Sequence, residues 1–190
     1  MSKPMVFDGI DDYVTCGTHE SLNPASEITI SAWVYPKTLD NWRYVVDRTA
    51  DANGAYRVEL GTTDFYVAFG TGSAMSAIST AHGMSVNNWY HIAVTYNSTT
   101  AVEYINGVSI GTSSISRVML DSDQAVTIGK VGGGGGNNFD GIINEVSIFS
   151  TALSLAEIQE LFNDGVPLDA TLHSKAIPTG TGTDYLEGYW

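Results

Sequence analysis

The stretch Phe139-Asp140-Gly141-Ile142-Ile143-Asn144-Glu145-Val146-Ser147-Ile148-Phe149 decides how the rest of the chain is read. It reads as the last core strand of a β-sandwich. A glycine run, 132–136, precedes it, and a short polar link leads on into a helix over 154–163. Ser154 caps that helix, and Glu157 three residues later completes a capping box. Ile158, Leu161 and Phe162 recur at helical spacing and form its apolar face. Gly165 suits a left-handed C-terminal position, and Pro167 bars continuation.

Upstream, the pattern changes from a period of 3.6 to a period of 2. In 27–35, Ile28, Ile30, Ala32 and Val34 fall on one side. Thr29, Ser31, Trp33 and Tyr35 fall on the other, as in a strand packed on one face. The same alternation predicts strands over 13–16, 43–48, 55–60, 64–69, 89–96, 102–105, 108–112 and 125–129. Gly61-Thr62-Thr63 links two of them as a hairpin, and Asn106-Gly107 links two more, because both of its turn positions need positive φ. Gly9 and the paired Asp11-Asp12 make a turn, and 70–88 read as loop plus a weak strand. The glycine run is not a phosphate loop: Lys130 precedes it instead of following it, and a strand follows it instead of a helix. About ten short strands, no βαβ pattern and one late helix make an all-β fold. It is an antiparallel two-sheet jelly-roll sandwich with one short helix on its C-terminal side.

Composition narrows the partners. The 190 residues fit one domain, 1–190, with 166–190 as a C-terminal extension. Eight basic residues against 21 acidic ones give a net charge of −13. Such a surface repels phosphate backbones and anionic bilayers, so nucleic acid and membrane are excluded as partners. The single cysteine, Cys16, forbids an internal disulfide and alternates with Val14 as a buried thiol. The N-terminus lacks the apolar core of a secretory signal, which favours synthesis and retention in a cytosol-like space.

Several segments resemble the laminin-G-like, or concanavalin A-like, jelly-roll family. They are 7–14 (FDGIDDYV), 28–36 (ITISAWVYP), 88–96 (NWYHIAVTY), 104–107 (YING) and 139–146 (FDGIINEV), followed by Ala152-Leu153-Ser154 and Glu157-Ile158. No single segment is specific; their order over 6–165 is. The fold hosts many functions, so the resemblance implies architecture first. Its members open with a Gly-Tyr-Trp-like strand, which here stands at the chain's end in Tyr185-Leu186-Glu187-Gly188-Tyr189-Trp190. The expectation is that 185–190 fills the place of that missing first strand, within its own chain or in a neighbour's. The resemblance also implies a structural calcium site joining the 8–14 turn to the late strand. Its matching positions are Asp11, Asp12 and Asn144, with Asp8, Asp140 and Glu145 nearby.

Aromatic residues outside the strongest strands, Trp42, Tyr44 and Tyr66, are the candidates for stacking on sugar rings. Trp33 and Trp89, in strong strands, read as packing residues. No catalytic residues are expected. The paired-carboxylate spacing of glucanases is missing, and His19, His82, His91 and His173 lie in separate segments without a nucleophile motif. The sequence therefore points to a non-catalytic structural or interaction module. Its first reading is a virion surface component, such as a capsid decoration or tail protein that assembles through protein contacts. Its alternative is an extracellular or cell-surface module that binds glycans.

Overall fold

The computed structural model describes residues 3–23, 26–49, 54–70, 75–115, 119, 121–132, 135–176 and 185–190. The strands are β1 (Met5–Asp8), β2 (Val14–Gly17), β3 (Ile28–Pro36), β4 (Arg43–Asp47), β5 (Tyr56–Leu60), β6 (Asp64–Gly70) and β7 (Met75–Ala81). They continue with β8 (Tyr90–Tyr96), β9 (Thr100–Ile105), β10 (Val108–Ser114), β11 (Val126–Ile128), β12 (Asp140–Phe149) and β13 (Leu186–Tyr189). Helix α1 is Leu155–Phe162, capped at Ser154 through the expected capping box with Glu157. Its C-terminus closes earlier than the glycine signal, on Asn163 in the left-handed region.

The strands form two antiparallel sheets. One runs β1-β12-β3-β8-β9-β10, with β13 also on β12; the other runs β2-β11-β4-β5-β6-β7. Between them lies one apolar core. Ile28, Ile30, Val34, Ile92 and Val94 of the first sheet meet Val46, Val58, Leu60, Phe65 and Val67 of the second. The alternation read from the sequence sets these inward faces. The Asn106-Gly107 turn has positive φ at both positions, 49° and 73°.

One strand was not read from the sequence, and another is fuller than the weak strand read there. Met5–Asp8 is a strand, which pairs with 140–143 of β12. It is short and mostly open to solvent, and only Phe7 carries a core signal. Met75–Ala81 is a full strand at the edge of the second sheet, where small polar residues suffice.

The first strand and the last share one partner. β13 pairs with Ser147–Phe149 of β12, and Val146 and Trp190 exchange both backbone hydrogen bonds. β1 takes the other half of the same edge. Both run antiparallel to β12, so they lie end to end in one direction.

A third layer corrects the one-sided reading of 28–35. Both sides of β3 are buried through Val34. The outward-facing side is covered by α1 and the residues after it. Ile158 and Leu161 pack with Ala93, Tyr104 and Phe149, and Tyr185, Leu186 and Tyr189 close the margin. Trp33 stacks on Phe162 with ring centroids 5.9 Å apart. Beneath it, Ser31 Oγ and His91 Nε2 lie 2.7 Å apart. Burial drives the His91 pKa down to about 3, so this ring stays neutral and structural.

Candidate functional site

The second sheet keeps its outward face open. Because side chains alternate, the residues between the core positions of β4, β5 and β6 all point to this face. Register then assembles them: Tyr44 stands opposite Glu59, and Glu59 opposite Tyr66. Arg57, two residues from Glu59, places Nε 3.1 Å from Glu59 Oε1. Its Nη2 donates to the Tyr66 hydroxyl at 3.4 Å, and its guanidinium lies 5.3 Å from the centre of that ring.

Trp42 joins from the segment before β4, its ring centroid 5.1 Å from that of Tyr66. It is 39% exposed and rests on Gly61. A Cβ at residue 61 would come within 2.8 Å of the indole, so only glycine leaves room. Trp42, Tyr44 and Tyr66, three separate candidates in the sequence, thus form one surface.

The charges in this surface are matched. Burial pushes the Glu59 carboxyl above its ordinary pKa, and the neighbouring Arg57 opposes that shift. Burial also works against the Arg57 cation, yet the Tyr66 hydroxyl and the Glu59 carboxylate outweigh it and raise its pKa. Tyr44 is raised by burial and then by the charge of Glu59, to which it is hydrogen-bonded. Arg57 and Glu59 are not singled out by the sequence. The available signal is their alternation with Tyr56, Val58 and Leu60, which sends two opposite charges to the same face.

Asp47 also lies on this face, but it is not a free carboxylate. It accepts hydrogen bonds from the Thr49 N–H, the Thr49 hydroxyl and the Gly132 N–H. It ties Gly132 to the sheet. What the arrangement offers is stacking area and oriented hydrogen-bonding groups.

The expected metal ligands separate. Asp8, Asp11 and Asp12 are exposed, and each offers a carboxylate oxygen within 4.8 Å of the others. Asp8 Oδ1 accepts from the N–H groups of Ile10 and Asp11, and Asp12 Oδ2 accepts from the Asp8 N–H. The Ile10 N–H is the main reason the Asp8 pKa falls. Asp140 sits beside this loop, opposite Asp8 in the ladder. Asn144 does not join it. It lies four residues further along β12, about 13 Å at strand spacing, opposite Trp33 on the covered face. Glu145 is there too, accepting from the Tyr189 hydroxyl. The three carboxylates are hard oxygen donors, chemically suited to calcium. Among the described residues, the carboxylates that converge are those of Asp8, Asp11 and Asp12.

Trp89 departs from its expected packing role. It is 41% exposed at the turn before β8, tilted against Tyr35 at 5.6 Å. Trp33 is buried as expected.

The sequence profile of the concanavalin A-like lectin/glucanases superfamily matches residues 8–159. The chain belongs to this superfamily. A segment of the adhesion G-protein coupled receptor V1 of Danio rerio is 24% identical over 159 residues, which is 78% of this chain and 2% of the receptor. Among solved structures, a putative carbohydrate-binding protein of Bacteroides ovatus superposes with a TM-score of 0.73 at 17% identity. That match covers 96% of this chain and 50% of the other. Domain 4 of an extracellular arabinanase of Geobacillus stearothermophilus, solved with arabinotriose, gives a TM-score of 0.66 at 19% identity. It covers 82% of this chain and 74% of that one. At these identities the structural likeness is one of fold. The chain spans a small part of the receptor and half of the Bacteroides protein.

Proposed function

We propose that this chain is a glycan-binding module whose site is the open face of the second sheet. The observation that carries the reading is the joined surface of Trp42, Tyr66, Arg57, Glu59 and Tyr44. Aromatic rings present flat apolar area to the faces of sugar rings, while a neutral ion pair and a phenol hold directed partners for hydroxyls. The named carbohydrate ligands of structural neighbours support the same reading. No catalytic role is assigned: one buried carboxylate tied to arginine, beside another tied to backbone, lacks the paired acid and base that glycoside hydrolysis needs.

An oligosaccharide array probed with the full chain tests the proposal. Retention of at least one glycan class, weakened by Glu59→Gln and by Tyr44→Phe, is the expected outcome. An array with no retained glycan would overturn it. Calcium is proposed as a structural ion at Asp8, Asp11 and Asp12, away from this face. Added calcium should then raise the melting temperature of the wild type and not of Asp11→Asn/Asp12→Asn.

Sequence reasoning favours an assembly component such as a virion surface protein, and one observation keeps that as a second reading. β13 occupies an edge of β12 that the same strand of another copy would fill in the same register. Light scattering after size exclusion separates the two readings: a stable oligomer supports exchange, and a clean monomer removes it.

A further inference from the structure

Beside the Lys130–Gly132 loop is a cleft of about 200 Å³. Tyr13, Thr15, Gln124, Thr127, Lys130 and Gly132 line it. Its chemistry differs from that of the rest of the molecule. The chain carries a charge of −13, yet no acidic side chain lines this cleft. Another open cleft, of about 340 Å³, is by contrast lined by Glu20, Asp121 and Asp123.

The cleft also holds a cation. Lys130 Nζ lies over the Tyr13 ring at 4.3 Å. Among the described residues, its ammonium is in no ion pair, unlike the cationic groups of Arg43, Arg57 and Lys175. The ring keeps a flexible ammonium inside the cleft instead of letting it sweep through solvent. Tyr13 remains 50% exposed, so it also offers apolar area to a ligand. Thr127 Oγ1 is fixed by donating to the Lys130 carbonyl at 2.7 Å. Lys130 is therefore held from both its backbone and its side chain.

We propose that this cleft is a second binding site, which takes the carboxylate-bearing sugar of an acidic glycan. The carboxylate pairs with Lys130 Nζ, the ring lies against Tyr13, and Gln124 and Thr15 meet its hydroxyls. The site is independent of the aromatic surface and rests on the glycan reading only in taking the anion to be a sugar. Excess negative charge elsewhere on the chain adds selectivity, since it repels an anion from most of the surface.

The test is a titration of the full chain, followed by amide nitrogen–proton correlation spectra, with glucuronic acid, glucose and inorganic phosphate in separate series. Glucuronic acid should shift the amides of Thr15, Thr127 and Gly132 and bind about tenfold more tightly than glucose, the usual scale of one charge-assisted pair. Lys130→Ala should abolish the response, Lys130→Arg should keep it, and Trp42→Ala should leave it unchanged. Equal responses to glucose and glucuronic acid, or persistence in Lys130→Ala, would overturn the site. Phosphate matching glucuronic acid would overturn its assignment to a sugar. If neutral glycans shift Tyr66 while glucuronic acid leaves the cleft silent, this inference fails and the glycan reading stands. Response in the cleft with none at Tyr66 to any glycan upholds the cleft and removes the aromatic surface as a glycan site.

Discussion

The two outward faces of the sandwich are handled in opposite ways. On the first sheet, α1 and the C-terminal strand seal the outer face, and even its polar residues, Ser31, His91 and Ser147, are buried. On the second sheet nothing among the described residues covers Tyr44, Arg57 and Tyr66, which keep intermediate exposure, and Trp42 stays exposed. On the sealed face Ser31 and His91 bind one another, whereas Ser147 Oγ and Trp33 Nε1 are buried away from solvent and ligand alike. The open face leaves stacking surface and hydrogen-bonding groups for something else. A sheet packed on both sides can only contribute stability, whereas a sheet packed on one side has a face left for a ligand.

The contrast is broken most severely at the sealed face. Phe149, fully buried under the helix layer and edge to face with His173 at 5.1 Å, anchors it. Phe149→Ala should cost about 3–5 kcal/mol of unfolding free energy in urea titrations, as for a large aromatic removed from a core. Residual folded protein should keep its glycan affinity. A loss below about 1 kcal/mol would mean that the third layer is not structural.

On the open face the signs reverse. Tyr66→Ala should change stability by less than about 1 kcal/mol but weaken glycan binding about tenfold, the scale of one lost stacking contact. Calorimetry on the same samples measures both. Destabilisation without loss of affinity would make the surface a packing feature.

The smallest effect sharpens the contrast from the interior, where both sheets face inward. Glu103 stands in register with Val94 and is fully buried. Burial pushes its pKa up to about 7, with Thr80 opposing and Asp64 reinforcing the shift. Its folded-state pKa lies above the unfolded value, so the folded state holds the proton more tightly. The associated stability is present below about pH 4.5 and is lost as pH rises to about 7. Glu103→Gln should flatten that part of a melting-temperature profile and stabilise the protein at pH 8. An unchanged slope between pH 5 and 7 would show that Glu103 is not protonated there.

Much of this architecture was legible in the sequence, and the reasons are particular. β3, β6 and β8 alternate cleanly because one side of each faces a continuous apolar core. The Asn106-Gly107 turn and the Ser154–Glu157 cap are local chemistry, complete within four residues. β1 was not legible, and β7 only as a weak strand, because edge strands need little apolar surface. Their identity comes from the neighbour that pairs with them. Trp42, Tyr44 and Tyr66 were visible as aromatics, but Arg57 and Glu59 were visible only as charges. Asn144 carried the family's motif position, yet strand register put it beside Trp33 and away from the acidic turn.

By itself the sequence determined the element types, the inward faces, the helix and its cap, and the net negative charge. Those follow from local propensity, alternation and summed composition, none of which needs a partner far along the chain. Only the tertiary structure decided which outer face is sealed and which stays open. It also decided that the last strand continues the first along β12, and that residues 13 and 130 close a cleft. Each of these depends on pairing between segments distant in sequence, whose register is set by the shared core and not by the residues that end up side by side.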